Sequence, residues 1–214
     1  MKKIFLLTFI LLAVASGCQK NSTQTTVSIN QTESSSPRTN TASPAPTETK
    51  LSLPIKDALT RVTKKPFGIY ITPQTSPVSP EKFKGYHTGT DFETLTGEKD
   101  TEVEIFSACD GKLLLKKSAT GYGGVAIQSC IIDSQEVTVL YGHLKLSSIS
   151  KIVGDSLKAG EKFAVLGKGY STETDGERKH LHLSMHKGTA QILLGYTQNK
   201  ADLVNWLNAE DYFR

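Results

Sequence analysis

Cysteine and histidine are scarce in this 214-residue chain, which carries three of the first and five of the second. Cys18, Cys109 and Cys130 form no C-x-x-C pair, which argues against structural zinc bound by thiolates. H-E-x-x-H is absent, so no helix offers two metal ligands together with a glutamate base. The apolar run Ile4–Val14 is too short for an ordinary membrane-spanning helix. There is no long basic block, and the formal charge of +4 falls to +2 once Lys2 and Lys3 are gone. Nucleic acid is therefore not expected as a partner. No internal repeat is visible. No helical pattern follows the glycine-rich turns, so they do not read as a phosphate cradle.

The N-terminal residues have the layout of a secretory signal. Lys2 and Lys3 form a basic start, Ile4–Val14 the apolar stretch, and Ala15-Ser16-Gly17 a small-residue stretch ending at Cys18. Small residues running directly into a cysteine resemble a bacterial lipobox, although Ala15 stands where leucine is usual. Residues 1–17 are accordingly expected to be removed and Cys18 lipidated, anchoring an extracytoplasmic protein to a membrane surface. Residues 18–50 are rich in Ser, Thr, Asn, Gln and Pro and cannot bury a core. They read as a disordered tether spanning roughly 30 Å as a flexible coil.

Composition changes at Leu51, and residues 51–214 have the size of one domain. Short apolar stretches are set off by glycine turns: Val103–Ala108, "DGKLLLKK", "GYGGVAIQSCII", Val137–Leu144, "VGDSLKAGEKFAVLGKG" and Leu181–Met185. This predicts an all-β domain, a compact antiparallel sheet or sandwich with little helix. Only Ala201–Leu207 reads as helical, with Asp202 as its candidate N-cap. Cys109 and Cys130 flank a hairpin expected to turn at Thr120–Gly123. Their numbers place them opposite each other across that turn, so a disulfide is expected in an exported protein. The faces of the two strands agree only if one strand carries a bulge.

All five histidines fall in three stretches. "GYHTGTDFE" holds His87 and Asp91, "LYGHLK" holds His143, and "KHLHLSMH" holds His180, His182 and His186. On a strand, His180 and His182 share one face while Leu181 and Leu183 turn to the core. The glycine between His87 and Asp91 lets that short segment curl so that both side chains can meet one ion. Two histidines and a carboxylate with an open fourth position make a hydrolytic zinc site. The same set can hold Fe(II), although there the early pair is normally spaced H-x-D or H-x-E.

H-x-x-x-D, then Y-G-H-L, then H-L-H, in this order, resemble the lysostaphin and LytM-type zinc metallopeptidases, which are peptidoglycan endopeptidases with a compact antiparallel β fold (the duplicated hybrid motif). "SACDGKLLL", "GYGGVAIQ" and "VGDSLKAGEKFAVLGKG" also resemble that framework, over roughly residues 68–185. The resemblance implies one Zn2+ held by His87, Asp91 and His182, with His143 and His180 as catalytic histidines. One of the two accepts a proton from water and the other hydrogen-bonds the oxyanion, in an order left open. It further implies peptidoglycan peptides as substrate and a chain acting as a monomer. His186 lies outside the motif and reads as a rim or surface histidine. Glu93 is a candidate for orienting a ligand from behind or for a plain solvated glutamate, Tyr122 for lining a groove, and Tyr141 for packing. The approach "GYSTETDGERKHLHL" is more charged than usual and lacks the usual proline, as does "NAEDYF", which bears on substrate preference. A silent member of the same fold that binds wall peptides or activates another hydrolase is the alternative. A pure interaction lipoprotein is a further one.

Overall fold

The structure is a computed structural model and describes residues 51–213. The expected signal segment, Cys18 and the tether lie outside the described residues. The elements run β1 (Tyr70–Ile71), β2 (Gly85–His87), β3 (Thr90–Glu93), β4 (Glu104–Phe106), β5 (Gly111–Ala119), β6 (Gly123–Ile132), β7 (Gln135–Gly142), β8 (Ser156–Leu157), β9 (Lys162–Val165), β10 (His180–Lys187), β11 (Tyr196–Thr197) and β12 (Trp206–Leu207). A single turn of α-helix, α1 (Ala58–Arg61), precedes them. The main sheet has the order β12-β10-β7-β6-β5-β8, with β3 added on β10. A small sheet β1-β2-β11 and a pair β4-β9 complete the fold. Every paired strand is antiparallel, as the glycine-punctuated pattern predicts. Among the described residues no helix is long and apolar enough to cross a membrane.

β10 lies one strand in from the edge of the main sheet, between β7 and the short strands β3 and β12. Leu181, Leu183 and Met185 are fully buried in a core they share with Phe92, Leu113, Val139, Tyr141 and Leu144. The alternation sends His180, His182 and Ser184 to the opposite face. Tyr141 packs in the core, as expected. Its hydroxyl accepts the Ala108 amide at 2.8 Å and donates to Gln128 Oε1 at 2.8 Å, so the buried oxygen is satisfied.

The long hairpin β5–β6 turns between Ala119 and Gly123. Its register shifts between Leu113 and Leu115, which is the bulge that pairing Cys109 with Cys130 requires. Those two residues form a disulfide with their Cα atoms 5.9 Å apart. The next hairpin, β6–β7, turns through Asp133 and Ser134, both at positive φ. That conformation matches the twist of two flanking strands joined by two residues.

The end of the chain differs from expectation. Residues 200–205 form a 3-10 helix capped by Asn199, whose side chain accepts the Ala201 amide at 3.1 Å. Asp202 is not the cap; its carboxylate accepts the Thr197 hydroxyl at 2.7 Å. Trp206 and Leu207 leave the helix to pair with His186 and Met185. Sheet pairing with a distant strand overrides the local helical preference there.

α1 braces β3 through Arg61, which is 1% exposed. The guanidinium forks onto Glu98 at 2.6 and 2.8 Å and donates to the Glu93 carbonyl at 3.1 Å. The Arg61 hydrogen bonds hold the Glu98 carboxyl down to about 2 against the pull of burial. Two outcomes are expected. Arg61→Ala leaves this corner unpaired and lowers stability by about 3–5 kcal/mol in chemical denaturation. Because the folded-state pKa of Glu98 is depressed, its stabilisation is complete above its ordinary value near 4.5 and disappears as pH falls toward 2. The stability gap between wild type and Glu98→Gln therefore closes over that window.

Candidate metal centre

The register of β10 assembles the site. His182 lies directly opposite Asp91 on β3 and directly opposite Gly142 on β7. Directly paired antiparallel residues bring their Cβ atoms to ~5 Å, so His182 and Asp91 are brought together by pairing alone. Gly142 lets the Tyr122 ring pack close beside His182, since a Cβ there would stand 2.7 Å from that ring. His87 is the last residue of β2, just before the bend into β3. That bend is pinned by Ser184 Oγ donating to the Thr88 carbonyl at 2.9 Å and by the Thr88 amide donating to the Gly195 carbonyl at 3.0 Å.

Three ligand atoms converge. His87 Nε2 stands 3.0 Å from His182 Nδ1 and 3.3 Å from Asp91 Oδ1, and His182 Nδ1 is 3.1 Å from that same oxygen. Around a tetrahedral zinc with bonds of ~2.0–2.1 Å, ligand atoms sit about 3.3 Å apart, so the set has the right spacing for one metal ion. The hydrogen bonding behind the ligands points the same way. His87 Nδ1 faces the Pro66 carbonyl at 3.2 Å and donates to it, which leaves a lone pair on Nε2. That lone pair and the ionised Asp91 oxygen face each other inside a closed site, His87 and Asp91 being 0% and 2% exposed. A cation between them turns this repulsion into attraction.

The protonation states suit metal ligation. Burial pushes the His182 imidazole down to about 4, leaving it uncharged at neutral pH. Burial on its own raises the Asp91 carboxyl. Electrostatic interaction with His180 and then His87, and hydrogen bonding with the His180 and His182 rings, outweigh burial and hold it well below the usual range.

His180 and His143 lie beside the triad with their rings 4.2 Å apart. His180 Nδ1 faces the Arg178 carbonyl at 2.9 Å, and its Nε2 is 3.3 Å from Asp91 Oδ2. His143 sits at φ 63 just past β7, a left-handed conformation that turns its side chain toward the site. Burial, and then electrostatic interaction with His180 and His182, push its imidazole well below the ordinary value. Its buried Nδ1 has no hydrogen-bond partner.

A cleft of about 270 Å³ opens over Asp91, His143, His180 and His182. Tyr122 lines it, its ring 5.4 Å from His182 and 6.0 Å from His143. Phe83, Tyr196 and His87 stack in sequence, with centroids 5.4 and 5.1 Å apart, and Phe83 and Tyr196 form another wall. His186 is outside the cluster. It pairs with Thr138 and Trp206 and meets the Trp206 ring edge-on at 5.0 Å.

Sequence reasoning missed two contributors. Arg178 lies two residues before His180 and reaches Asp91 at 2.8 Å. Lys65 is buried against the cleft, paired with Glu81 and donating to the Tyr196 hydroxyl at 3.1 Å. Arg178 had a signal: 178, 180 and 182 keep the alternating spacing of one strand face. Lys65 had none. Glu93 does not touch Asp91; it acts on it through Arg178.

Gly89 supplies a direct test of this packing. A Cβ there would stand 2.5 Å from the Leu183 carbonyl and 2.7 Å from His182 Nε2. Gly89→Ala is expected to cost about 1–3 kcal/mol as an overpacked site and to lower metal affinity by displacing His182. Denaturant titration and competition with a chelating dye measure the two effects.

Comparison with known proteins agrees with this geometry. The model of peptidase family M23 matches residues 85–193, a span that contains every residue of the cluster. Endolysin 2638A of Staphylococcus phage 2638A is 25% identical over 171 residues, which cover 72% of this chain and 34% of that protein. The chain thus spans about a third of that relative's length. Among solved structures, that of the SpoIIQ-SpoIIIAH pore forming complex superposes with a TM-score of 0.51 at 12% identity, over 78% of this chain and 92% of that one. A zinc containing peptidase from Vibrio cholerae superposes with a TM-score of 0.42 at 22% identity, over 65% of this chain and 37% of that one. With the family model covering half of the chain, and the antiparallel β architecture in place, this chain belongs to peptidase family M23.

Proposed function

We propose that this chain is a zinc-dependent endopeptidase that hydrolyses peptide cross-links or bridges of bacterial peptidoglycan. His87, Asp91 and His182 hold a single Zn2+. The observation that carries this reading is the convergence of their three ligand atoms at 3.0–3.3 Å. The similarity to a phage endolysin supports a wall peptide as substrate. Residues 1–50 support an exported chain held at a membrane surface through lipidated Cys18.

Bound at the triad, zinc supplies Lewis acidity to a peptide carbonyl and lowers the pKa of water. The chain supplies the proton transfers. His180 Nδ1–H is committed to the Arg178 carbonyl, so the lone pair of His180 lies on Nε2, beside the triad. His180 is therefore assigned as the base that takes a proton from the attacking water at Nε2. The imidazolium it becomes is stabilised by Asp91 Oδ2 at 3.3 Å. His143 is kept neutral by its surroundings and donates an N–H to the carbonyl oxygen as charge develops there. The aromatic wall of Phe83 and Tyr196 shields the cleft from bulk water.

The test is digestion of purified peptidoglycans of several cross-link types, with mass spectrometry of the released fragments and a chelator control. Wild type is expected to release defined peptides, and chelation to stop it. His87→Ala is expected to lose both zinc and cleavage. His180→Ala is expected to keep zinc and lose about 10²–10⁴-fold in rate. Zinc-loaded protein that binds wall but releases no fragment from any type would instead support the silent wall-binding reading.

A further inference from the structure

Asp91 divides its two oxygens between two tasks. Oδ1 faces His87 and His182, whereas Oδ2 accepts from Arg178 Nη2 at 2.8 Å and stands 3.3 Å from His180 Nε2. Arg178 is itself held in place. Its Nε donates to both oxygens of Glu93 at 3.0 Å each, and its Nη2 bonds Glu93 as well. The guanidinium is 11% exposed, and Lys64 stands 3.5 Å from Glu93 on the outer side.

We propose that Arg178 is a positioning residue of the metal centre, restricting Asp91 to one-oxygen ligation, and that Glu93 fixes Arg178 for this purpose. The proposal rests on the metallopeptidase reading above. The physical reason lies in coordination number. A carboxylate free to rotate can offer both oxygens to one cation, and the second would occupy the position that a hydrolytic site leaves open. Engaging Oδ2 in a short charge-assisted hydrogen bond makes that rotation costly. Only a planar guanidinium can fork onto Glu93 and still reach Asp91; an ammonium cannot span both in fixed geometry. Glu93 also offsets the charge of Arg178, so a divalent cation does not meet an uncompensated positive group.

A buried Arg–Glu pair could instead merely tie β3 to the segment entering β10, so the test needs readouts beyond stability. Zn2+ affinity by competition with a chromophoric chelator, the visible spectrum of the Co2+-loaded protein and the unfolding temperature of the metal-free protein are measured for wild type, Arg178→Gln, Arg178→Lys and Glu93→Gln. In Arg178→Gln, zinc affinity is expected to fall about 10–100-fold. The Co2+ bands are expected to weaken as the second carboxylate oxygen raises the coordination number. Glu93→Gln is expected to shift both readouts in the same direction by less. Should Arg178→Gln fail to fold, Arg178→Lys carries the test, because it keeps the charge and loses the fork. Wild-type zinc affinity in the folded variants, or a wild-type Co2+ spectrum, overturns the proposal even if the unfolding temperature drops. Wild type that binds no zinc dependent on His87 would sink the underlying metallopeptidase reading instead.

Discussion

The antiparallel pairing of β10 with β3 is the constraint on which the site depends. It places His182 opposite Asp91 and His180 opposite Glu93 on one face, and Leu181 opposite Phe92 on the other. Because side chains alternate, a slip of one residue would drive both histidines into the core and two leucines into the cleft. Burial of Leu181, Leu183 and Phe92 thus does more than stabilise the sheet. It fixes the register that brings an imidazole and a carboxylate within ligand distance, over a separation of 91 residues.

The same arrangement gathers charge where water is scarce. Asp91, His87, His180, His182 and Arg178 lie within one buried cluster, and four of them are held by a group behind: the Pro66 carbonyl for His87, the Arg178 carbonyl for His180, Glu93 for Arg178 and Arg178 for Asp91. Buried polar groups left unpaired are costly, so this outer layer of partners is a condition for the inner one. Within this cluster and its neighbour His143, the buried unpartnered imidazole nitrogens are His143 Nδ1 and His182 Nε2.

The cleft walls come from segments that the sheet does not dictate. The approach to β10 is a compact turn around Thr174, whose hydroxyl donates to the Glu177 carbonyl at 2.7 Å, with Ser171 capping its 3-10 helix. Asp175 accepts the Gly121 amide at 2.7 Å, and Lys82 pairs with Glu177 at 3.4 Å. The first contact ties the approach loop to the turn that carries Tyr122, and the second ties it to the segment before β2. A loop that charged and that well bonded shapes one side of the cleft, where Glu177 and Arg178 line it.

Much of this protein can be read without coordinates, because the relevant physics is local. Strands follow from apolar runs cut by glycine, a shared face follows from the spacing of His180 and His182, and the Cys109–Cys130 bridge with its bulge follows from counting across one hairpin turn. The order H-x-x-x-D, Y-G-H-L, H-L-H points to the ligand atoms that the fold does bring together. Interactions between distant segments were not legible. Trp206 abandons a local helical preference to pair with β10, and Lys65 becomes buried against Glu81 and Tyr196. Arg178 finds Asp91 and Glu93 more than eighty residues away. The sequence by itself determined that residues with ligand chemistry recur on shared strand faces, because residue chemistry and strand periodicity are carried locally, and the resemblance of its motifs singled out His87, Asp91 and His182. Only the tertiary structure decided which oxygen of Asp91 faces the centre and what holds the other, since hydrogen-bond partners brought together by folding leave no periodic trace along the chain.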